Sequence, residues 1–177
     1  MNRDYLGDSY DAVKRLWQQV VSEWAPLFAD PRFIPSDLQG EFTRLTGIPM
    51  LPDSPPEPYS ILNDPDTGIR LPGESNQAES RTHIALSRVQ SQLQRSGLRA
   101  VITYDQSDYR HNELKRDEQR LAKMRFLADA GLFAFYYVSH APFLFAFPDA
   151  ESRGQLRDRL RRFGIPEDRF ETYERNG

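Results

Sequence analysis

The sequence predicts an α/β protein: a Rossmann-like three-layer sandwich on a mostly parallel sheet, with a C-terminal antiparallel hairpin, as one domain over residues 1–177. Three observations predict it. Helical and extended segments alternate along most of the chain, the order that yields parallel strands with helices on both faces. Two apolar runs, Tyr59–Leu62 and Leu98–Tyr104, break abruptly into polar turns, as buried strands of open α/β sheets do. Two aromatic runs, Phe133–Val138 and Phe143–Phe147, are separated by Ser139-His140-Ala141-Pro142, a hairpin spacing.

Taken in order, Asp8–Trp24 reads as an amphipathic helix. Val13, Leu16, Trp17, Val20, Val21 and Trp24 form one apolar stripe, Asp8 or Ser9 supplies the N-cap, and Pro26 ends it. Leu27–Ala29 is a short strand and Leu38–Thr46 a short helix closed by Gly47. Ile48–Pro58 carries five prolines and must be an extended connector. After the Tyr59–Leu62 strand and its Asp64-Pro65-Asp66-Thr67-Gly68 turn, Leu71–Ser80 is expected as an exposed loop over that turn. Thr82–Ser96 reads as a helix with Leu86, Val89 and Leu93 inward. Leu98–Tyr104 is the strongest strand, ending in Asp105-Gln106-Ser107. Glu113–Ala130 is a long helix with Leu114, Leu121, Met124 and Leu127 on its inner face, and Ser152–Phe163 a last helix before a frayed tail.

Composition narrows the function. The chain is 38% hydrophobic and 28% charged, so it is globular and long enough to bury a sizeable core. It has no cysteine, which excludes disulfides and Cys-based zinc sites. His83, His111 and His140 are scattered and suggest no metal set. A net charge of −3 gives no support to a general nucleic-acid partner. No apolar stretch reaches the roughly 18 residues of a membrane helix, and the acidic N-terminus is unlike a signal peptide. The expectation is a soluble cytoplasmic protein without a membrane partner.

Candidate chemistry gathers at the two strand ends. Asp64 and Asp66 are paired carboxylates that could act catalytically, orient a donor or hold a cation, and the same residues also make a good Asx-type turn. Asp105 and Gln106, ending the neighbouring strand, should sit beside Asp64, Asp66 and Gly68; a helix cap is their alternative role. Asp11 and Lys14 are three apart on the first helix, where an exposed ion pair is worth only about 0.2–0.5 kcal/mol. His140 and the arginines of the last helix (Arg153, Arg157, Arg159, Arg161, Arg162) are weaker candidates, the latter interleaved with Asp158 as a solvated face would be.

The spacing Gly7-x-x-x-Asp11-x-x-Lys14 resembles the N-terminal G-x-x-x-D-x-x-K-H motif of the large-subunit ribosomal RNA adenine-N6 methyltransferases, with Arg15 in place of His. The strand ending in Asp64-Pro65 resembles their D-P-P-Y motif, and relatives with a D-P-D-N-G turn look closer still. The following helix, strand, helix and hairpin match the second half of a class I S-adenosylmethionine methyltransferase sheet. The resemblance implies Asp64 and Asp66 as catalytic residues, Asp11, Lys14, Gly68, Asp105 and Gln106 as cofactor-binding residues, and S-adenosylmethionine as cofactor. The departures are concrete. Asp66 replaces the second Pro and Thr67 the Tyr, which removes a base-stacking ring worth roughly 1–3 kcal/mol. Phe28–Leu38, where a Gly-rich cofactor turn belongs, has no Gly. The expectation is therefore a methyltransferase-like domain that is catalytically degenerate.

Two alternatives remain. Asp64-x-Asp66 also resembles the D-x-D pair of haloacid-dehalogenase-like phosphatases, with Thr103, Lys115, Asp149 and Glu151 in supporting roles and Mg²⁺ as cofactor. Here the order is D-x-D-T-G where that family has D-x-D-G-T. A non-enzymatic nucleotide- or protein-binding module is the third reading.

Overall fold

A computed structural model describes residues 6–71, 82–106 and 114–173. The elements run α1 (Ser9–Ser22), β1 (Leu27–Ala29), α2 (Gln39–Thr46), β2 (Tyr59–Asn63), β3 (Gly68–Ile69), β4 (His83–Ile84), α3 (Leu86–Leu93), β5 (Leu98–Tyr104), α4 (Arg116–Asp129), β6 (Phe133–Tyr137), β7 (Phe143–Phe147), α5 (Ala150–Arg162) and β8 (Phe170–Thr172). The main sheet has the order β1-β2-β5-β7-β6-β8. β1, β2 and β5 run parallel, with Ala29 beside Leu62 and Asn63 beside Thr103. β7 joins β5 antiparallel, and β6 and β8 continue antiparallel beyond it. The α/β, Rossmann-like expectation holds, with a parallel core and a C-terminal antiparallel part.

Strand alternation divides the core in two. Leu62, Ala100, Ile102, Phe135, Phe143 and Phe145 meet Trp17 and Val21 of α1, Phe42 of α2 and Leu156 and Leu160 of α5. Ile61, Val101, Tyr136 and Leu144 meet Val89 and Leu93 of α3 and Met124 and Leu127 of α4. The aromatic strands stack across the hairpin, Phe135 on Phe145 at 4.9 Å, and Trp17 meets Phe145 edge-on at 5.2 Å.

Several element boundaries fall elsewhere than expected. The helix expected from Thr82 starts only at Leu86, because His83–Ile84 pairs in parallel with Gly68–Ile69 as a two-stranded sheet. Leu114 and Leu121, expected inward on α4, are 44% and 45% exposed. The buried face carries Gln119, Lys123, Met124 and Leu127 instead; α4 is turned so that a lysine enters the core. The tail does not fray through residue 173. Phe170–Thr172 adds an edge strand to β6, held by Phe170 against Phe135 and by Arg120 paired with Glu171 at 2.7 Å. The Leu71–Ser80 loop, apart from Leu71, and Ser107 with the cap after it lie outside the described residues. No helix among the described residues is long and apolar enough to cross a membrane.

Candidate functional site

Two buried charge clusters occupy the carboxyl ends of β2 and β5, on opposite faces of the sheet. The first joins α1 to β2. Asp8 caps α1 by accepting the Tyr10 and Asp11 amides at 2.8 and 3.3 Å, so the helix begins with its acidic residues correctly placed. Asp11 Oδ2 accepts the Gly7 amide at 2.7 Å. Lys14 Nζ donates to Asp11 Oδ1 at 3.0 Å and to Asp64 Oδ2 at 2.7 Å. Exposures of 3%, 4% and 5% for Asp11, Lys14 and Asp64 correct the expectation of a surface ion pair. The two stretches that carry the resemblance, fifty positions apart, meet through this one ammonium.

Burial alone would lower the Lys14 ammonium, but the Asp64 and Asp11 carboxylates overturn that and raise it above its ordinary value. Burial pushes the Asp64 carboxyl up, more than Lys14 pulls it down. The triad thus sets the Lys14 ammonium between two buried carboxyl groups, of which Asp64 is the one that burial pushes toward its neutral form.

The second cluster centres on Asp105, whose position one residue beyond Tyr104 turns it to the α3–α4 face. Lys123 Nζ of α4 and the Tyr136 hydroxyl of β6 both donate to Asp105 Oδ2 at 2.7 Å, and the Ile69 amide donates to Oδ1 at 2.9 Å. Asp105 and Lys123 are completely buried. Burial would raise the Asp105 carboxyl; Lys123, the Ile69 amide and Tyr136 together hold it below its ordinary value. Every one of these contacts is internal, so Asp105 acts as the clamp on the Thr67–Ile69 segment. Gly68 completes the clamp at φ +138°: a Cβ there would lie 2.9 Å from Asp105 Cα and closer still to its carboxylate. Gly68→Ala is therefore expected to destabilise the protein by at least about 1–3 kcal/mol, read as a lowered urea midpoint; an unchanged midpoint would show that the segment is not held against Asp105.

The expected cleft of Asp64, Asp66, Gly68, Asp105 and Gln106 is thus divided. Asp64 joins Asp11 and Lys14, whereas Gly68 and Asp105 pack together on the other face. Asp66 and Gln106 are exposed, and the Gln106 amide donates to Thr67 O at 3.1 Å. Strand alternation explains the division, since Asp64 shares the face of Leu62, and Asp105 that of Val101 and Thr103. Sequence reasoning missed Lys123 and Tyr136. The signal for Lys123 was its place between Gln119 and Leu127 at steps of four.

The phosphatase-type residues are not brought together. Thr103 Oγ1 accepts from Asn63 Nδ2 inside the core at 3.2 Å, and Lys115 is the exposed N-cap of α4. Asp149 caps α5 beyond Phe147, and β7 runs antiparallel to β5, so Asp149 and Glu151 lie beyond the opposite end of the strands from Asp64. No group of three or more His, Asp or Glu side chains among the described residues could hold a metal ion. The α5 arginines are largely taken up by ion pairs: Arg157 with Glu167, Arg159 with Glu23, and Arg161 with Glu167 and Asp158. A cavity of about 270 Å³ bordered by Met124, Leu132, Phe133 and Tyr173 lies at the start of β6, away from both clusters.

An adenosyl cofactor does not fit the turn after β1. Pro31–Phe33 forms a tight 3-10 turn capped by Asp30, and Phe33, Ile34 and Leu38 are buried where a glycine turn would leave room. Asp30 is also tied inward, accepting from Gln92 Nε2 at 3.1 Å, while Gln92 and Asn63 exchange hydrogen bonds at 2.8 and 3.0 Å.

The fold and these clusters define an α/β protein of Rossmann-like architecture with a charged cluster at its strand ends. Compared with models of protein families, with curated proteins and with solved structures, the chain matches none.

Proposed function

We propose that the chain is a methyltransferase-like α/β domain that is degenerate as a catalyst and works as a ligand-binding module, its cleft at the carboxyl end of β2. The observation that carries this reading is the Asp11–Lys14–Asp64 triad. A buried arrangement of three ionisable groups costs stability compared with apolar packing, and such arrangements concentrate at functional sites. Its position outside the carboxyl end of a parallel strand is where open α/β sheets take their ligands. The methyltransferase likeness draws further support from the meeting of the Gly7–Lys14 and Asp64-Pro65 stretches, and from the helix, strand, helix and hairpin that follow β2. The filled turn after β1 supports degeneracy.

A thermal-shift screen against S-adenosylmethionine, S-adenosylhomocysteine, nucleotides and small organic probes tests it. The adenosyl compounds are expected to leave the midpoint unchanged, and a true ligand at 100 times its Kd to add about 2.7 kcal/mol. Asp64→Asn is expected to abolish that response while leaving stability at pH 7 unchanged or raised by up to about 1 kcal/mol, because it removes a carboxylate that burial disfavours in its ionised form. A loss above about 2 kcal/mol would instead mark Asp64 as a structural turn residue. An adenosyl response that disappears in Asp64→Asn would restore a cofactor-using enzyme.

A further inference from the structure

We propose that the cavity at the start of β6 is a second binding site, taking a small monocarboxylate with a compact apolar body whose carboxylate meets the Arg153 guanidinium. It lies at the opposite end of the strands from Asp64, because Phe133 pairs with Phe147 where β7 ends and β7 runs antiparallel to β5. The assignment therefore stands apart from the cleft at β2.

Strand pairing makes the cavity. Within the described residues, β8 pairs with β6 only from Phe135 to Tyr137, whereas β7 accompanies β6 as far as Phe133. Beside Phe133 and Ala134 the sheet thus lacks a second neighbour among the described strands. The residues that could close the gap are small. Ala128 of α4 and Ala134 of β6 border it, and Gly131 turns between them at φ +76°, with nothing within 4 Å of where a Cβ would stand. About 270 Å³ is left unfilled.

The lining decides the ligand. Met124 and Ala134, 1% and 6% exposed, give an apolar floor, and half-buried Leu132 and Tyr173 leave the space reachable from solvent. Arg153, in the first turn of α5, stands over the Phe133 ring at 5.4 Å. Among the described side chains that border the cavity, it is the one that carries a charge. A guanidinium presents five N–H donors in a planar fork, and a carboxylate fits two of them at once. A cationic ligand would face that charge, and a wholly apolar one would desolvate it without compensation. The carbonyls ending α4 do not compete for a ligand's donors: Leu127 O accepts from the Ala130 and Leu132 amides, and Ala128 O from that of Gly131. Benzene fits a cavity of about 150 Å³, so this one has room for one ring with a short acid arm.

Titration of the full chain at pH 7 with phenylacetate, neutral phenylacetamide and acetate tests the assignment, read by calorimetry and by the Met124 methyl resonance. Phenylacetate is expected to saturate and to move the Met124 signal, and acetate not to bind measurably. The amide should bind roughly tenfold or more weaker, the effect of losing a charge-assisted pair. Arg153→Gln should weaken phenylacetate by a similar factor, and Ala128→Leu, which fills the space, should abolish its binding. Arg162→Gln should change nothing, and circular dichroism confirms that each variant is folded. Acetate or phenylacetamide binding as tightly as phenylacetate, or full phenylacetate binding by folded Arg153→Gln, overturns the inference. An unmoved Met124 methyl or the absence of saturable phenylacetate binding overturns it as well.

Discussion

Replacing Lys123 by Met is expected to cost the fold roughly 3–5 kcal/mol, the range for removing one partner of a buried ion pair. Lys123 and Asp105 are both completely buried at 2.7 Å. The Met side chain fills similar space, so the loss reports the carboxylate left behind and not a cavity. Tyr136→Phe removes one of that carboxylate's hydrogen bonds and is expected to cost about 1.5–3 kcal/mol, the value for bonds to a charged group. Urea unfolding of the two variants checks the order. A Lys123→Met loss no larger than that of Tyr136→Phe would mean that Asp105 is not held by the ion pair. The Ile69 amide, bonded to the same carboxylate, should exchange with deuterium much faster in Lys123→Met, since the clamp on the β3 segment loosens with it.

Alkaline unfolding should be unusually steep. Lys14 is raised above 10.5 once its carboxylate partners outweigh burial, and burial followed by the Asp105 charge raises the Tyr136 hydroxyl well above 10. In both cases the folded state keeps a proton that the unfolded chain gives up. Their stabilisation is complete below the ordinary values and is lost as pH climbs through the folded ones. Each retained proton lowers the unfolding free energy by about 1.4 kcal/mol per pH unit, so the pair gives about 3 kcal/mol per unit above pH ~10.5. Tyr104 is raised too and adds in the same direction. The acid limb should be shallower. The lowered Asp105 carboxyl contributes stability above its ordinary 3.8 and loses it as pH falls, whereas the raised Asp64 carboxyl gains as it takes up a proton. Urea midpoints from about pH 2 to about pH 12 check both limbs; a flat alkaline limb would show that Lys14 and Tyr136 are not held protonated by the fold.

Much of the architecture was legible because it is written in local patterns. The stripe from Val13 to Trp24, the left-handed Gly47 closing α2 and the two aromatic runs each specify an element from neighbouring residues alone. The misses share a cause. His83 and Ile84 read as the first turn of a helix, and only pairing with Gly68 and Ile69 makes them a strand. Leu121 has the right chemistry for the core, yet α4 turns it outward because Asp105 draws Lys123 in.

The candidate site divides in the same way. By itself the sequence determined that carboxylates end β2 and β5, and that Asp11 and Lys14 share a helix face. Only the tertiary structure decided which of them act together. It buried Asp11 and Lys14 against Asp64, and it sent Asp105 to Lys123 and Tyr136 across the sheet. The physical reason is alternation combined with distance in the chain. One residue of offset puts neighbouring strand ends on opposite faces, and a buried charge takes whichever opposite charge the packed elements bring to it, here from 50 positions away for Asp64 and 18 for Asp105.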